Sequence, residues 1–294
     1  MPSSLEELFC HIDDFCQTFE PQWRRQQLSS SGRRRRYRPR RLSLSEVLTI
    51  LVHFHQAGYR TFKQFYLEHV VKYHQAEFPE LVSYQRFVEW MPDTLVPLCA
   101  YLKHCFGQCS GISFVDSTSI KVCHNRRMRD HRVFEGLAAR GKTSVDWFFG
   151  FKLHLVINER GELLNIQVTP GNVDDRKPVS TLLKGCFGKV FADRGYVSKA
   201  LASKLYEDHG IEFFAKPRRN MKNHLMRWYD KLLSRKRAMV ESVIDQLKNI
   251  SQIEHSRHRS PVNAWVNLIS GLIAYCHQPK KPTLKIWWAL PQAA

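Results

Sequence analysis

Asp116 closes the apolar run Ile112, Phe114, Val115 in GISFVDSTSIKV, and Asp193 closes Val190–Ala192 in GKVFADRGY. A carboxylate at the end of a buried strand is costly unless it is paired or solvated. Each therefore reads either as a surface turn residue or as a ligand at a sheet edge. Glu241 is the third acid. It lies on the polar stripe of a helix expected around Leu232–Ile250, whose apolar stripe is Leu233, Val240, Val243, Ile244 and Leu247. At about 100° per residue, Arg237, Glu241 and Lys248 fall within roughly 40° of one another on that polar stripe. Taken alone, such a stripe is most simply an exposed salt-bridge face. The ordered set Asp, Asp, Glu points further. Three converging carboxylates suit hard divalent cations, above all Mg2+, which takes few protein carboxylates and keeps water and phosphate oxygens as its other ligands. Two such ions about 3.5–4 Å apart can activate a nucleophile and stabilise the leaving oxygen at a phosphodiester.

The elements that must position these acids follow from residue patterning. Phe149–Ile157 and Leu163–Thr169 read as two strands around the hairpin turn Asn158–Gly161, so the first three strands form an antiparallel meander. A helix is expected near Pro178, another from Ser198, and a fifth strand at Ile211–Ala215. Helices between strands imply parallel pairing for the last strands.

Upstream, the periodicity is helical. Leu5, Leu8, Ile12, Phe15 and Phe19 mark a first helix, capped by Ser3 or Ser4 and followed by Pro21. Ser43 or Ser45 caps a helix carrying Val47, Leu48, Leu51, Val52 and Phe54. Gly58 breaks it, and Thr61 caps the next, with Phe62, Phe65, Tyr66 and Val70. This is the outline of a helix-turn-helix, although any αα-hairpin reads the same way. A further pair is expected around Tyr84–Trp90 and Thr94–Phe106. The expected division is a helical N-terminal domain over 1–108, an α/β domain over 109–278 and a basic tail over 279–294.

The 294 residues include 45 Lys+Arg against 27 Asp+Glu, a net charge of +18. Such a charge repels itself unless a polyanion is near, which makes nucleic acid the first partner to consider. Arg33, Arg34, Arg35, Arg36, Arg38, Arg40 and Arg41 are packed around Tyr37 in SSSGRRRRYRPRR. The run reads as a DNA-backbone contact, with a solvated linker as the alternative. Arg126–Arg129, with His124, His131 and Arg132, forms a second basic cluster. The longest apolar segment, Val262–Tyr275, is interrupted by Asn263, Asn267, Ser270 and Gly271 and is too short and polar to span a bilayer. MPSSLEELFC lacks the charged and apolar regions of a secretory signal. Most of the eight cysteines are isolated and read as reduced thiols, so a cytosolic protein is expected. Cys105, Cys109, Cys123 and His124 lack the usual zinc spacing. The adjacent acids Asp174 and Asp175 read as loop or capping residues, and His154 as a packed strand residue.

With FVDSTSI at 114–120, TPGNVDDRKPV at 169–179, VFADRGY at 190–196 and Arg237-x3-Glu241-x6-Lys248, the chain from about 80 to 275 resembles a bacterial insertion-sequence transposase of the DDE type. The family pattern has a tyrosine three residues before the arginine, where this chain has Ser234. The resemblance implies an α/β fold: an RNase H-like mixed five-stranded sheet with flanking helices, preceded by the all-helical domain. It implies that Asp116, Asp193 and Glu241 bind two Mg2+ ions, for which Mn2+ can substitute. Arg237 and Lys248 would touch DNA phosphates. Water would free a 3′-OH at the element's end, and that 3′-OH would attack target DNA. The implied partners are double-stranded DNA, as transposon ends and as target, and at least one further copy of the chain. The implied location is the bacterial cytoplasm, at the nucleoid. Two other functions fit the same residues: a DNA-binding protein with a transposase-derived fold that no longer transposes, and a structure-selective nuclease that cuts without joining.

Overall fold

The computed structural model describes residues 4–31, 40–143, 146–217, 226–254 and 257–284. The chain divides into two compact units, one of Met1–Cys105 with Leu247–Pro279 and one of Phe106–Gln246 with the residues from Lys280. Among the described residues no helix is long and apolar enough to cross a membrane.

The first unit is helical. Its first helix runs Leu5–Ser31. It opens on a reciprocal cap in which the Glu7 amide donates to Ser4 Oγ at 3.1 Å and the Ser4 amide donates to the Glu7 carboxylate. Pro21 does not end it, contrary to the sequence expectation; the helix continues through that position for a further ten residues. The helix Leu44–Phe54 starts from a capping box of Ser43 and Glu46 and is buried nearly all round. Gly58, at φ 72°, turns the chain, and Thr61 caps Phe62–Phe65. A single π turn, Tyr66–Val70, and a last turn, Val71–Tyr73, complete that helical run. Tyr84–Trp90 and Leu95–His104 follow as expected. The helix Pro261–Cys276 packs against Leu44–Phe54 and Leu95–His104. The expected boundary had placed it in the α/β stretch. Its buried surface, Val266–Tyr275, is apolar on several faces, so it needs helices on more than one side, and the N-terminal helices supply them.

The second unit is built on a mixed sheet. Its strands are β1 (Ile112–Cys123), β2 (Ala139–Lys142), β3 (Trp147–Asn158), β4 (Leu163–Pro170), β5 (Lys189–Ala192) and β6 (Glu212–Ala215). The order is β2-β3-β1-β5-β6, with β4 also paired to β3. β1, β3 and β4 form the antiparallel meander, while β5 joins β1 and β6 joins β5 in parallel. The expected five strands are present. The sixth, β2, pairs with the first residues of β3; its sequence ARGK has no apolar alternation to announce it.

One face of this sheet buries Val115, Val156, Val190 and Ala192 against Val179, Leu182, Leu205 and Tyr196. Side chains alternate across a strand, so Phe114 and Phe191 lie on the other face, their rings 5.8 Å apart, with Phe214 beyond Phe191 at 5.2 Å. The helix Trp228–Lys236 is held to β5 by a near-buried ion pair. Lys189 Nζ donates to Asp230 Oδ1 at 2.6 Å, and the Asp230 side chain is 4% exposed. Removing Asp230 leaves Lys189, among the described residues, with only the exposed carboxylate of Glu212, 3.9 Å away. Asp230→Ala is therefore expected to cost about 3 kcal/mol of stability, measured by urea unfolding, and Lys189→Met in the same chain should recover part of it. A loss below about 1 kcal/mol would mean that the pair is effectively solvated.

Candidate active site

The two aspartates are brought together by the parallel ladder. The last pair of that ladder is Val115 with Ala192, and the next residue on each strand is Asp116 and Asp193. By alternation, Asp116 shares the face of Phe114, and Asp193 shares that of Phe191. β1 does not end at Asp116, as the apolar run had suggested. It continues to Cys123 paired with β3, and Asp116 lies opposite Leu155. What ends there is the pairing with β5, because Asp193 turns the chain into the short helical turn Arg194–Tyr196. Asp116 thus keeps its partner on β3 but has none on the β5 side.

Glu241 is supplied by a helix. The helix expected over 232–250 is two helices, Trp228–Lys236 and Ala238–Asn249, with the break at Arg237. Its expected apolar stripe is the buried one: Leu233, Val240, Val243 and Leu247 are buried, and Ile244 partly so. The Arg237 guanidinium lies among all three acids. Nη1 donates to Asp116 Oδ2 at 2.9 Å, Nη2 donates to Glu241 Oε1 at 2.6 Å, and Nη2 lies 3.6 Å from Asp193 Oδ1. Side-chain exposure grades across the site, at 12% for Arg237, 17% for Asp116, 46% for Asp193 and 60% for Glu241. The acids sit in a cleft-like gradient from dry to wet, with one cation offsetting part of their charge.

Burial pushes Asp116 up to about 6, against the opposing pull of Arg237 and of the Ser117 amide, which donates to Asp116 Oδ1 at 2.9 Å; the charge of Asp193 adds to the rise. Tyr196, in the turn after Asp193, is buried, and its phenol is pushed well above the ordinary range by burial and then by Asp116. The raised carboxylate has a stability consequence. The folded state holds the Asp116 proton more tightly than the unfolded chain, so the contribution is intact below about pH 4 and is lost as pH rises through 6. Asp116→Asn is therefore expected to stabilise the metal-free protein by roughly 1–3 kcal/mol at pH 8. The gain should shrink as pH falls from 6 towards 4, read from thermal unfolding at a series of pH values. A gain that does not vary with pH would assign it to packing instead.

The other sequence candidates have definite places. Lys248 pairs with Glu254 at 2.9 Å. Arg40 pairs with Asp93 and lies over the Trp90 ring, and Arg41 lies 3.6 Å from Glu80. Arg33, Arg34, Arg35, Arg36 and Arg38 are outside the described residues. Asp174 is taken by Arg176 and Asp175 by Lys152 at 2.9 Å. His154 is fully buried, with Nε2 2.9 Å from Thr169 Oγ1. Cys105, Cys109, Cys123 and His124 do not assemble as a metal-ligand group among the described residues. Arg126, Arg127, Arg129, Arg132, Arg140 and Lys142 are exposed, and Arg140 lies over the Trp147 ring at 4.4 Å. The bridging role of Arg237 was not legible as such in the chain.

The donor set at the centre is three carboxylates, hard oxygen ligands whose charge a single guanidinium does not neutralise. It fits a hard divalent cation such as Mg2+ or Mn2+. Residues 106–261, just over half of the chain, match a family model described as a transposase DDE domain. A search of curated proteins gave no match.

Proposed function

The chain belongs to the DDE transposases, and from that premise we propose that it cuts DNA at the ends of a mobile element and joins the freed 3′-OH to target DNA. The observation that carries this reading is the gathering of Asp116, Asp193 and Glu241 around Arg237 at the end of the β1–β5 ladder. Asp116, Asp193 and Glu241 would hold the divalent cations. Two such ions, when bound, supply activation of the attacking oxygen and stabilisation of the leaving one.

The chain's own contribution is position and charge. The ladder holds the two aspartates on rigid strands, where they need little reorganisation. Glu241, being exposed on a helix, is free to adjust to its partner ions. Arg237 keeps the acids together and screens their mutual repulsion. The exposed Arg126, Arg127, Arg129, Arg140 and Lys142 and the arginine run at 33–41 supply phosphate contacts. Arg40 and Arg41 are engaged with surface carboxylates worth about 0–1 kcal/mol each, so DNA phosphates can replace them. Arg237 and Lys248 are assigned to the vicinity of the scissile strand by their place in the Arg237-x3-Glu241-x6-Lys248 pattern. The helical segment over 1–108 is assigned to DNA binding and the α/β stretch that follows it to catalysis, the helix Pro261–Cys276 being counted with the helical unit. A protein of this kind would act as at least a dimer on DNA, in the bacterial cytoplasm.

The test is cleavage of supercoiled DNA carrying the sequences that flank the gene, with Mg2+ and then with Mn2+, beside Asp116→Ala. Nicks at fixed flank positions with free 3′-OH ends, followed by joined products, are the expected result. Cutting without joining would favour a nuclease. Tight binding without any nick would favour a DNA-binding protein of transposase descent.

A further inference from the structure

The helical unit holds a second cluster of metal-ligating side chains, unrelated to the carboxylates. His53 lies near the end of the helix Leu44–Phe54, His69 on the π turn Tyr66–Val70, and His74 caps the turn Val71–Tyr73. One ring nitrogen from each lies within 4.8 Å of the others. We propose that His53, His69 and His74 form a binding site for a borderline transition-metal cation, Zn2+ in the first place, which clamps the end of Leu44–Phe54 to the helical run that follows it.

Three observations carry the assignment. First, His69 Nε2 and His74 Nε2 are 3.2 Å apart. Nitrogens bound at about 2.0–2.1 Å to a tetrahedral zinc lie about 3.3–3.4 Å from each other. Second, the far nitrogens of the same two rings face groups of the kind that orient metal-bound histidines. His69 Nδ1 is 3.5 Å from the Tyr59 hydroxyl; among the described residues His74 Nδ1 makes no hydrogen bond, and the Glu77 carboxylate is its nearby acid, at 3.8 Å. Ligating histidines regularly direct the second nitrogen to such a partner, which fixes the ring and its tautomer. Third, among the described residues, both ring nitrogens of His53 are buried and meet no hydrogen-bond partner. A buried polar nitrogen left so is costly, and coordination would satisfy one of the two.

Burial, and then the two neighbouring imidazoles, pull His53 down to about 4, so the ring is neutral, the form that binds metals. A simple N–H···N bond between His69 and His74 would explain the short distance but leaves His53 without a role. Single π turns also recur at functional sites. Imidazole nitrogens select zinc, cobalt, nickel or copper and not magnesium, so this donor set does not compete for the ions of the carboxylate centre. Three protein ligands leave a fourth position for water.

The test uses the full chain stripped of metal by a chelator. Cobalt(II) is titrated in excess Mg2+, which saturates the carboxylates, and the visible bands of tetrahedral cobalt are followed. Zinc is then added to displace it, and bound zinc is counted by equilibrium dialysis. The expected result is one tetrahedral ion per chain, displaced by zinc. His69→Asn or His74→Asn should lower zinc affinity at least about 100-fold. Glu77→Gln, which keeps all three ligands, should lower it about 10-fold or more. Asp116→Ala with Asp193→Ala should leave it unchanged. Absence of tetrahedral bands in the unsubstituted protein overturns the proposal without depending on whether any variant folds. Zinc uptake that the aspartate variants abolish and the histidine variants do not would also overturn it.

Discussion

Alanine at Asp116, Asp193 or Glu241 is expected to lower DNA strand cleavage at least about a thousandfold, or about 4 kcal/mol in the barrier, while DNA affinity stays the same or rises slightly. The two halves of this result have different causes. Cleavage would fall because, on the proposed reading, each acid would supply the divalent cations with oxygen ligands that no neighbour replaces. Asp174 is committed to Arg176 and Asp175 to Lys152. Affinity holds because removing a negative charge from a chain of net charge +18 cannot weaken its attraction to phosphate. The three variants should differ in stability. Glu241 is the most exposed of the acids, so its loss costs little folding energy, whereas Asp116→Ala also removes the penalty of a buried carboxylate. Cleavage of end-labelled DNA and fluorescence anisotropy of the same substrate give the two readouts. An alanine variant that keeps ordinary cleavage removes that residue from the centre.

Arg237→Gln is expected to cost about 2–4 kcal/mol of stability in the metal-free protein at pH 8, because it leaves the buried carboxylate of Asp116 without its cation. Arg237 lowers the Asp116 value, so its removal lets that value climb further above about 6. The penalty is one of holding an ionised carboxylate in the folded state. It is therefore present at high pH and fades as pH falls through the folded value towards the unfolded one, near 4. Mg2+ should restore more stability to Arg237→Gln than to the unsubstituted chain, since the ions take over the compensation. Arg237→Lys should recover only part of the loss, for an ammonium is a point charge and cannot span two carboxylates at 2.9 and 2.6 Å while remaining near a third. Thermal unfolding across pH, with and without Mg2+, decides the matter. Equal melting temperatures for Arg237→Gln and the unsubstituted chain would show that the guanidinium is dispensable to the folded site.

Much of this architecture is written locally. The apolar runs before Asp116 and Asp193 placed both acids at a sheet, because a strand buried on both faces shows directly as a short apolar run. Thr61 and the choice of Ser43 or Ser45, which the structure resolves to Ser43, marked helix starts because a short side-chain oxygen satisfies the first free amides wherever the helix goes afterwards. The apolar stripe Leu233, Val240, Val243 and Leu247 identified the buried face of the late helical segment even though the segment proved to be two helices. The break at Arg237 was invisible, since arginine is a good helix former and the period continues through it. β2 was invisible for the opposite reason, as ARGK carries no pattern and pairs only because the start of β3 offers an open edge.

The sequence by itself nominated the residues whose types could carry chemistry and marked most of the buried faces and five of the six strands in their order, because propensity, capping and apolar patterning act over a few neighbouring positions. Only the tertiary structure decided what those residues meet. The β1–β5 register sets Asp116 beside Asp193, and one guanidinium, that of Arg237, reaches three acids. The helix Pro261–Cys276 joins the N-terminal helices, and His53, His69 and His74 converge from separate helical turns. Each of these depends on pairing across long stretches of chain, where the entropy of closing the loop is repaid only by the whole packed core, and no local pattern records that balance.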